Sequence, residues 1–199
     1  LFCLVDLARG RVLRTVENPS LLACTARWLD GVLSIDVDGR TLEATPRPSG
    51  RKLALDFWGR PAAVEIVDGP WARAYSDYLG VEVALTRAVR PGELVYGASV
   101  TLLTTSGLRR LAEKAGHEID SHRFRATFVI DTEELDAQAE DSWAGRELQL
   151  GSARIRVLEG IDRCAVIDAD PASGVSGTRL LQTLAGYRLR DGAVAFGMY

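Results

Sequence analysis

Short β-prone segments separated by glycine-containing turns run through most of this chain, and they constrain its fold more than any other feature. Segments 4–7 and 11–14 flank a turn at Gly10, and Gly151-Ser152 joins two further segments. Short strands that are joined by tight turns pair as hairpins. Long helical patterns do not alternate with them. The sequence therefore predicts a mainly β fold with a few helices (α+β).

Three segments with helical spacing interrupt the strands. Each lies between a residue that can start a helix and a glycine that can end it: Pro70 to Gly80, Thr104 or Thr105 to Gly116, and Thr178 to Gly186. Trp71 and Tyr75 fall on one face of the first helix, which we interpret as a core face rather than an aromatic binding stripe. Residues 21–26 and 164–167 are predicted to be strands, and residues 45–52 a loop.

The composition excludes several classes of protein. Hydrophobic residues make up 47% and charged residues 26% of the 199 residues, as in ordinary globular domains. A net charge of -3 gives no positive field for nucleic acid or an anionic membrane. No signal peptide and no apolar run of the ~18 residues that a membrane helix needs are present. Three widely spaced cysteines without a CxxC motif favour free thiols in a reducing compartment, which we expect to be the cytoplasm.

Common catalytic and metal motifs are missing. His117 and His122 have no carboxylate or thiol at the spacing of a metal site. The acidic run 131–141 lacks the spacing of a calcium loop and is typical of a solvated face. No dinucleotide fingerprint, phosphate-binding loop, HExxH or GxSxG motif occurs.

Two clusters of residues could bind a ligand or take part in a reaction. If residues 123–127 form a strand, Arg123 and Arg125 share one face and suit an anion; alternatively both face water while Phe124 anchors the core. In the second cluster Arg163 precedes Cys164, and a neighbouring guanidinium favours the thiolate form. A thiolate suits a transition metal or sulfur transfer, whereas the alternative is an inert buried cysteine. The other two thiols, Cys3 and Cys24, lie in apolar patterns typical of small core residues.

The order of several motifs resembles a known family. These motifs are Arg123-Phe124-Arg125, Ala139 to Gly145, Asp162-Arg163-Cys164, Asp168 to Pro171, Leu184 to Arg188 and Phe196 to Tyr199. Together they resemble the MOSC domain, named after the C-terminal part of molybdenum-cofactor sulfurase. Leu4-Val5-Asp6 and Glu17-Asn18-Pro19 are similar to the β-barrel domain that often precedes it. The resemblance implies a MOSC-type β-barrel at 91–199 after a smaller β-rich domain at 1–90.

The resemblance also implies a function, because the chain is similar to amidoxime-reducing components. These proteins bind the molybdenum cofactor (molybdopterin), a pterin dithiolene with a phosphate, and reduce small N-hydroxylated compounds with electrons from a partner protein. Cys164 matches their molybdenum ligand and catalytic cysteine. The residues expected to contact the cofactor are Asp162, Arg163, Arg125, Thr127, Thr104 and Tyr199. Pyridoxal phosphate binding is a further cofactor property that the resemblance suggests.

The chain departs from the family pattern in places that leave other functions open. After Arg-Phe-Arg the cofactor-binding relatives have Pro-Asn, where this chain has Ala126-Thr127 and lacks the amide. Family motifs would precede Leu1 and follow Tyr199, and both ends are expected to be cut. One alternative is a sulfur carrier, in which Cys164 takes a persulfide from a sulfur donor for metal–sulfur or cofactor assembly. The other is a non-catalytic binding domain with the same fold.

Overall fold

The computed structural model describes residues 1–199, and the chain divides into two compact units. The first unit comprises Leu1–Tyr96 with Ala172–Gly174, and the second comprises Gly97–Pro171 with Val175–Tyr199. Strands dominate both units and three α-helices accompany them, so the predicted mainly β fold class is confirmed. The assignment of 1–90 and 91–199 to two family domains stays a prediction.

The first unit is built on a closed five-stranded barrel. Its elements are β1 (Phe2–Asp6), β2 (Arg11–Val12), β3 (Thr25–Leu29), β4 (Val32–Val37), β5 (Arg40–Ala44), β6 (Arg47–Phe57), β7 (Arg60–Asp68), α1 (Trp71–Leu79) and β8 (Val83–Ala88), with a 3-10 helix at Pro19–Ala23. The barrel order is β1-β2-β6-β7-β8, and β3-β4-β5 form a separate sheet. Buried Val5, Leu55 and Val64 belong to one hydrophobic core cluster of this unit. Because alternate residues of a strand point to the same face, apolar residues at every second position can fill such a core.

Helix α1 confirms the prediction made from its end residues and its apolar face. Gly80 ends the helix in the left-handed conformation, with φ 67°. Trp71 is fully buried and its indole N–H donates to the Leu42 carbonyl over 3.1 Å, while Tyr75 is also buried. This aromatic face is therefore part of the hydrophobic core and not a binding stripe.

Two predictions for the first unit are wrong. The predicted loop at 45–52 lies mostly in β6, where the register against β7 shifts between Pro48 and Lys52. Proline and glycine interrupt the ladder there as a bulge and do not end the strand. The predicted strand at 21–26 is instead the end of the Pro19–Ala23 helix followed by the start of β3.

The second unit contains an open sheet with helices packed on it. Its elements are β9 (Leu102–Thr104), α2 (Thr105–Ala115), β10 (Phe128–Ile130), β11 (Glu147–Leu150), β12 (Ala153–Arg156), β13 (Gly160–Asp162), α3 (Leu180–Arg188), β14 (Leu189–Arg190) and β15 (Ala193–Met198), with 3-10 helices at Ser121–Phe124, Ala139–Trp143 and Ala165–Asp168. The sheet order is β10-β9-β15-β13, and β14 also pairs with β15. The predicted hairpin around Gly151-Ser152 is confirmed as β11 and β12.

The two helices of this unit differ in how well the sequence predicts them. Thr104 caps α2, as predicted, by accepting the Gly107 N–H over 3.1 Å. The prediction for α3 is wrong at both ends. The Thr178 hydroxyl donates to the Asp168 carbonyl and does not cap the helix, which runs past Gly186 to Arg188. None of the three helices is long and apolar enough to cross a membrane.

A buried polar network joins the 3-10 helix Ala139–Trp143 to α2 and α3. Asp141 accepts two hydrogen bonds from the Arg188 guanidinium, over 2.7 and 2.8 Å, and one from Arg190. Glu140 is fully buried, and one of its oxygens accepts the Thr104 hydroxyl over 3.0 Å, whereas Oε1 has no partner. Burial is the main reason that the pKa of Glu140 lies above its ordinary value of 4.5.

Because the pKa of Glu140 is raised, we expect the stability of the protein to depend on pH in a way that the Glu140→Gln variant does not share. The folded protein holds the Glu140 proton more tightly than the unfolded chain, so this stabilisation is present below pH 4.5 and is lost as the pH rises through the folded pKa. We expect Glu140→Gln to match the parent at acidic pH and to exceed its free energy of unfolding at alkaline pH. Urea unfolding across this pH range measures the difference, and a difference that is constant with pH would contradict the prediction.

Candidate functional site

Cys164 lies where β13 gives way to an irregular segment, and its side chain is exposed. The residue has extended backbone and precedes the 3-10 helix Ala165–Asp168, so the strand predicted at 164–167 is wrong. Its carbonyl accepts the Ile167 N–H over 3.3 Å. The thiol is thus accessible to a metal or an electrophile, unlike the half-buried Cys3 and Cys24.

The Arg163 guanidinium is the most unusual group beside this thiol. Its Nε donates to the Phe196 carbonyl over 2.7 Å and its Nη1 to the Phe124 carbonyl over 3.2 Å, and it lies 5.2 Å from the centroid of the Phe124 ring. Burial lowers its pKa to about 10, against the opposing effect of negative charge at Tyr199 and Cys164. Arg163 is therefore still charged at neutral pH. Its third nitrogen, Nη2, is buried and has no hydrogen-bond partner.

A glycine in β15 lets the main chain approach the unpartnered nitrogen closely. Gly197 has φ 77°, and a Cβ there would lie 3.1 Å from Arg163 Nη2 and 2.6 Å from the Leu102 carbonyl oxygen. A larger residue would be strained in this conformation and would also crowd the guanidinium. Tyr199 follows two residues later, and its N–H donates to the Glu159 carbonyl over 2.9 Å.

Arg125 and Asp162 are exposed residues close in sequence to these groups. Arg125 follows the 3-10 helix Ser121–Phe124 in the left-handed conformation, with φ 51°, and its side chain makes no ion pair. Asp162 is the last residue of β13, opposite Ala195 of β15. Both side chains therefore remain available to a ligand.

Arg123 does not share a strand face with Arg125, so that expectation is wrong. Residues 121–124 form a 3-10 helix, and the Arg123 Nη1 donates to the Ala169 carbonyl over 2.7 Å and to the Ile167 carbonyl over 3.4 Å. Its Nη2 lies 3.8 Å from the Asp170 carboxylate. Arg123 thus fixes the segment that follows Cys164, a role that local sequence patterns did not indicate.

The two candidate threonines form hydrogen bonds within the protein. Thr104 is buried, accepts the Gly107 N–H and donates to Glu140, so its hydroxyl is already engaged inside the fold. Thr127 is exposed, and its hydroxyl accepts the Thr101 N–H over 3.2 Å. Arg163 and Cys164 are adjacent in the chain, and the Arg163 hydrogen bond to the Phe124 carbonyl brings them near the segment of Arg125, whereas Thr104 has a structural role.

Two features of the site were missed by sequence reasoning. Gly197 and the main-chain carbonyls of Phe124 and Phe196 carry no chemical signature of their own. The one available signal was the Phe-Gly pair in the last apolar segment. The chain has no group of three or more His, Cys, Asp or Glu side chains that could hold a metal ion. A metal at Cys164 would need ligands from outside the protein.

Comparisons with known proteins give a family match and weak structural likenesses. The family model described as "MOSC domain" matches residues 77–199. No curated protein matches the chain. One similar solved structure is the solution structure of a structural genomics target protein from Bordetella bronchiseptica. It is 14% identical, with 49% of this chain and 77% of that chain covered and a TM-score of 0.34. A likeness of this size carries no functional information.

The hydrogen bonds of Arg123 predict that it stabilises the segment behind Cys164. Replacing Arg123 by alanine leaves the Ala169 carbonyl without its donor, so we expect a loss of about 1–3 kcal/mol in the free energy of unfolding. Cys164 should also react faster with a disulfide reagent, followed at that residue by mass spectrometry. Arg125→Ala is the matched control and should change neither quantity. Equal effects of the two variants on stability would contradict the prediction.

Proposed function

This chain belongs to the MOSC domain family, and from that membership we propose that it binds the molybdenum cofactor and reduces N-hydroxylated compounds. The proposal assigns Cys164 as the metal ligand and the second unit as the part that holds the cofactor. The family match covers residues 77–199, which include every candidate site residue.

The unpartnered Arg163 nitrogen is the observation that carries the proposal. A buried polar atom without a hydrogen-bond partner costs free energy, and a charged one costs more. An anionic group bound next to Cys164 would supply the missing acceptor. Gly197 lets the main chain of β15 pass close to this nitrogen without covering it with a side chain. The cationic Arg163 and the exposed Cys164 thiol therefore suit a cofactor that carries both a phosphate and a metal.

Each residue then has a distinct task. Cys164 donates a soft thiolate to the metal, and Arg163 balances negative charge next to it. Arg125, exposed and without an ion pair, binds the phosphate side of the cofactor. When bound, the cofactor supplies redox chemistry at molybdenum and its own dithiolene ligands, so a single protein thiolate is enough to complete the site.

The proposed partners are a small N-hydroxylated substrate and a protein that donates electrons. The three free cysteines support a reducing compartment, and we propose the cytoplasm. Pyridoxal phosphate is less well supported, because it is held through a lysine amine. The second unit has a single lysine, Lys114, which is exposed near the end of α2.

A second candidate function is favoured by the residue type and hydrogen bond at position 127. Relatives that hold the cofactor have an amide there, whereas the Thr127 hydroxyl is bound to Thr101. A sulfur carrier needs the accessible Cys164 thiol but no stable pterin site. In that function the Cys164 thiolate would attack the outer sulfur of a donor protein's persulfide, the donor cysteine would leave as a thiolate, and the Cys164 persulfide would pass this sulfur to a metal–sulfur or cofactor assembly.

The molybdenum content of protein purified from a host that makes the cofactor tests the proposed function. We expect molybdenum in about equimolar amount in the parent and almost none in Cys164→Ala, because the thiolate is the protein's only ligand. Elemental analysis gives the metal content, and fluorescence of the oxidised pterin gives the cofactor content. Cys24→Ala, which removes a half-buried thiol of the first unit, is the matched control and should keep the metal.

The remaining outcomes distinguish the alternatives. Metal that persists in Cys164→Ala would refute the assigned ligand. Protein without metal or pterin would refute the cofactor proposal, and persulfide labelling of Cys164 after incubation with a cysteine desulfurase would then support the sulfur carrier. Protein that has neither the cofactor nor a persulfide label on Cys164 would support a non-catalytic domain of this family.

A further inference from the structure

The tip of the β6–β7 hairpin exposes a tryptophan in a backbone conformation that this residue rarely adopts. Trp58 and Gly59 join the two strands with φ angles of 52° and 81°. A turn with two left-handed residues is usually Asn-Gly, and a bulky side chain at its first position is strained. Trp58 is nevertheless 42% exposed, so burial alone does not explain its presence.

The surroundings of Trp58 form a preorganised surface. The Tyr96 ring is 5.3 Å from the Trp58 ring between centroids, and this tyrosine is 53% exposed. The Arg14 guanidinium lies 5.3 Å from the Trp58 ring, and Arg60 donates a hydrogen bond to the carbonyl of Val95, next to Tyr96. We call Arg14, Trp58, Arg60 and Tyr96 the aromatic–arginine patch. Tryptophan, tyrosine and arginine are the residues that contribute most binding energy in protein interfaces.

The charge of the patch indicates what it would bind. Arg60 makes no ion pair, and Arg14 has a single long contact of 3.9 Å to the exposed Asp56 carboxylate. The patch is therefore locally positive, although the whole chain carries a net charge of -3. An apolar side chain flanked by carboxylates would complement both its rings and its guanidiniums.

The chain itself presents a segment of this kind. In residues 131–136, here called the acidic loop, Leu135 is 46% exposed. Glu133, Glu134 and Asp136 flank it, are exposed and form no ion pairs. The loop forms a turn in which the Leu135 N–H donates to the Thr132 carbonyl over 2.9 Å, and Arg109 of α2 donates to the Glu133 carbonyl over 3.2 Å. A second copy of the protein therefore carries the complementary chemistry.

We propose that the protein self-associates, with the aromatic–arginine patch of one copy binding the acidic loop of another. Leu135 would pack on the rings of Trp58 and Tyr96, and the loop carboxylates would pair with Arg14 and Arg60. Pairs of this kind lie at a partly solvated rim and are screened by salt. The association should therefore weaken as the ionic strength rises.

Sedimentation velocity of the full chain at increasing concentration tests the proposal. At low salt we expect the average sedimentation coefficient to rise with concentration, and Trp58→Ala to raise the dissociation constant about tenfold or more. Trp28→Ala is the matched control, because Trp28 is 39% exposed and also lies against an arginine, Arg87. A parent that sediments as a monomer at every concentration would overturn the proposal, as would equal effects of the two variants.

Charge reversal identifies the two surfaces directly. The variant with Arg14→Glu and Arg60→Glu has two negative surfaces, and the variant with Glu133→Lys and Glu134→Lys has two positive ones. Each should be monomeric alone, because like charges then face each other. An equimolar mixture should associate again, since each altered surface meets one of opposite charge. Association of either variant alone, or a monomeric mixture, would overturn the proposal; thermal unfolding of each variant verifies that it is folded.

Discussion

The two hydrogen bonds that Arg163 donates to main-chain carbonyls determine how the site of the second unit is assembled. The Phe124 carbonyl belongs to the 3-10 helix that carries Arg123 and precedes Arg125, and the Phe196 carbonyl belongs to β15. A buried guanidinium is stable only with such partners. Because they occupy two of its three nitrogens, the third is left without a partner, and Cys164 follows directly along the chain.

Elements with local signals were predictable from sequence, and elements fixed by distant contacts were not. Helix α1 and the start of α2 follow from end residues and apolar spacing, which act within one turn of the helix. Residues 164–167 read as a strand because they are apolar and β-prone. Their 3-10 conformation instead accompanies hydrogen bonds from Arg123, which is more than forty residues away in sequence. Helix α3 continues past Gly186 for a similar reason, since Arg188 pairs with Asp141.

The residues of the candidate site also differ in whether a local sequence signal or a distant contact determines their role. Arg163 and Cys164 are adjacent in sequence, so a thiol next to a guanidinium could be predicted without a structure. Thr104 stays a predicted cofactor contact, but no sequence pattern indicates that Glu140, a residue of another segment, accepts its hydroxyl. No pattern in the sequence reports that Arg125 turns left-handed or that one Arg163 nitrogen has no partner. Such properties arise only from tertiary packing.

Gly197 has a consequence for how related sequences of unknown activity are interpreted. A side chain at this position would approach both a main-chain oxygen and the Arg163 guanidinium, and its backbone conformation disfavours other residues. A relative that keeps the cysteine but replaces this glycine must move the β15 main chain away from Leu102 and Arg163. The glycine thus reports whether β15 can pass this close to the arginine, which the cysteine alone does not report.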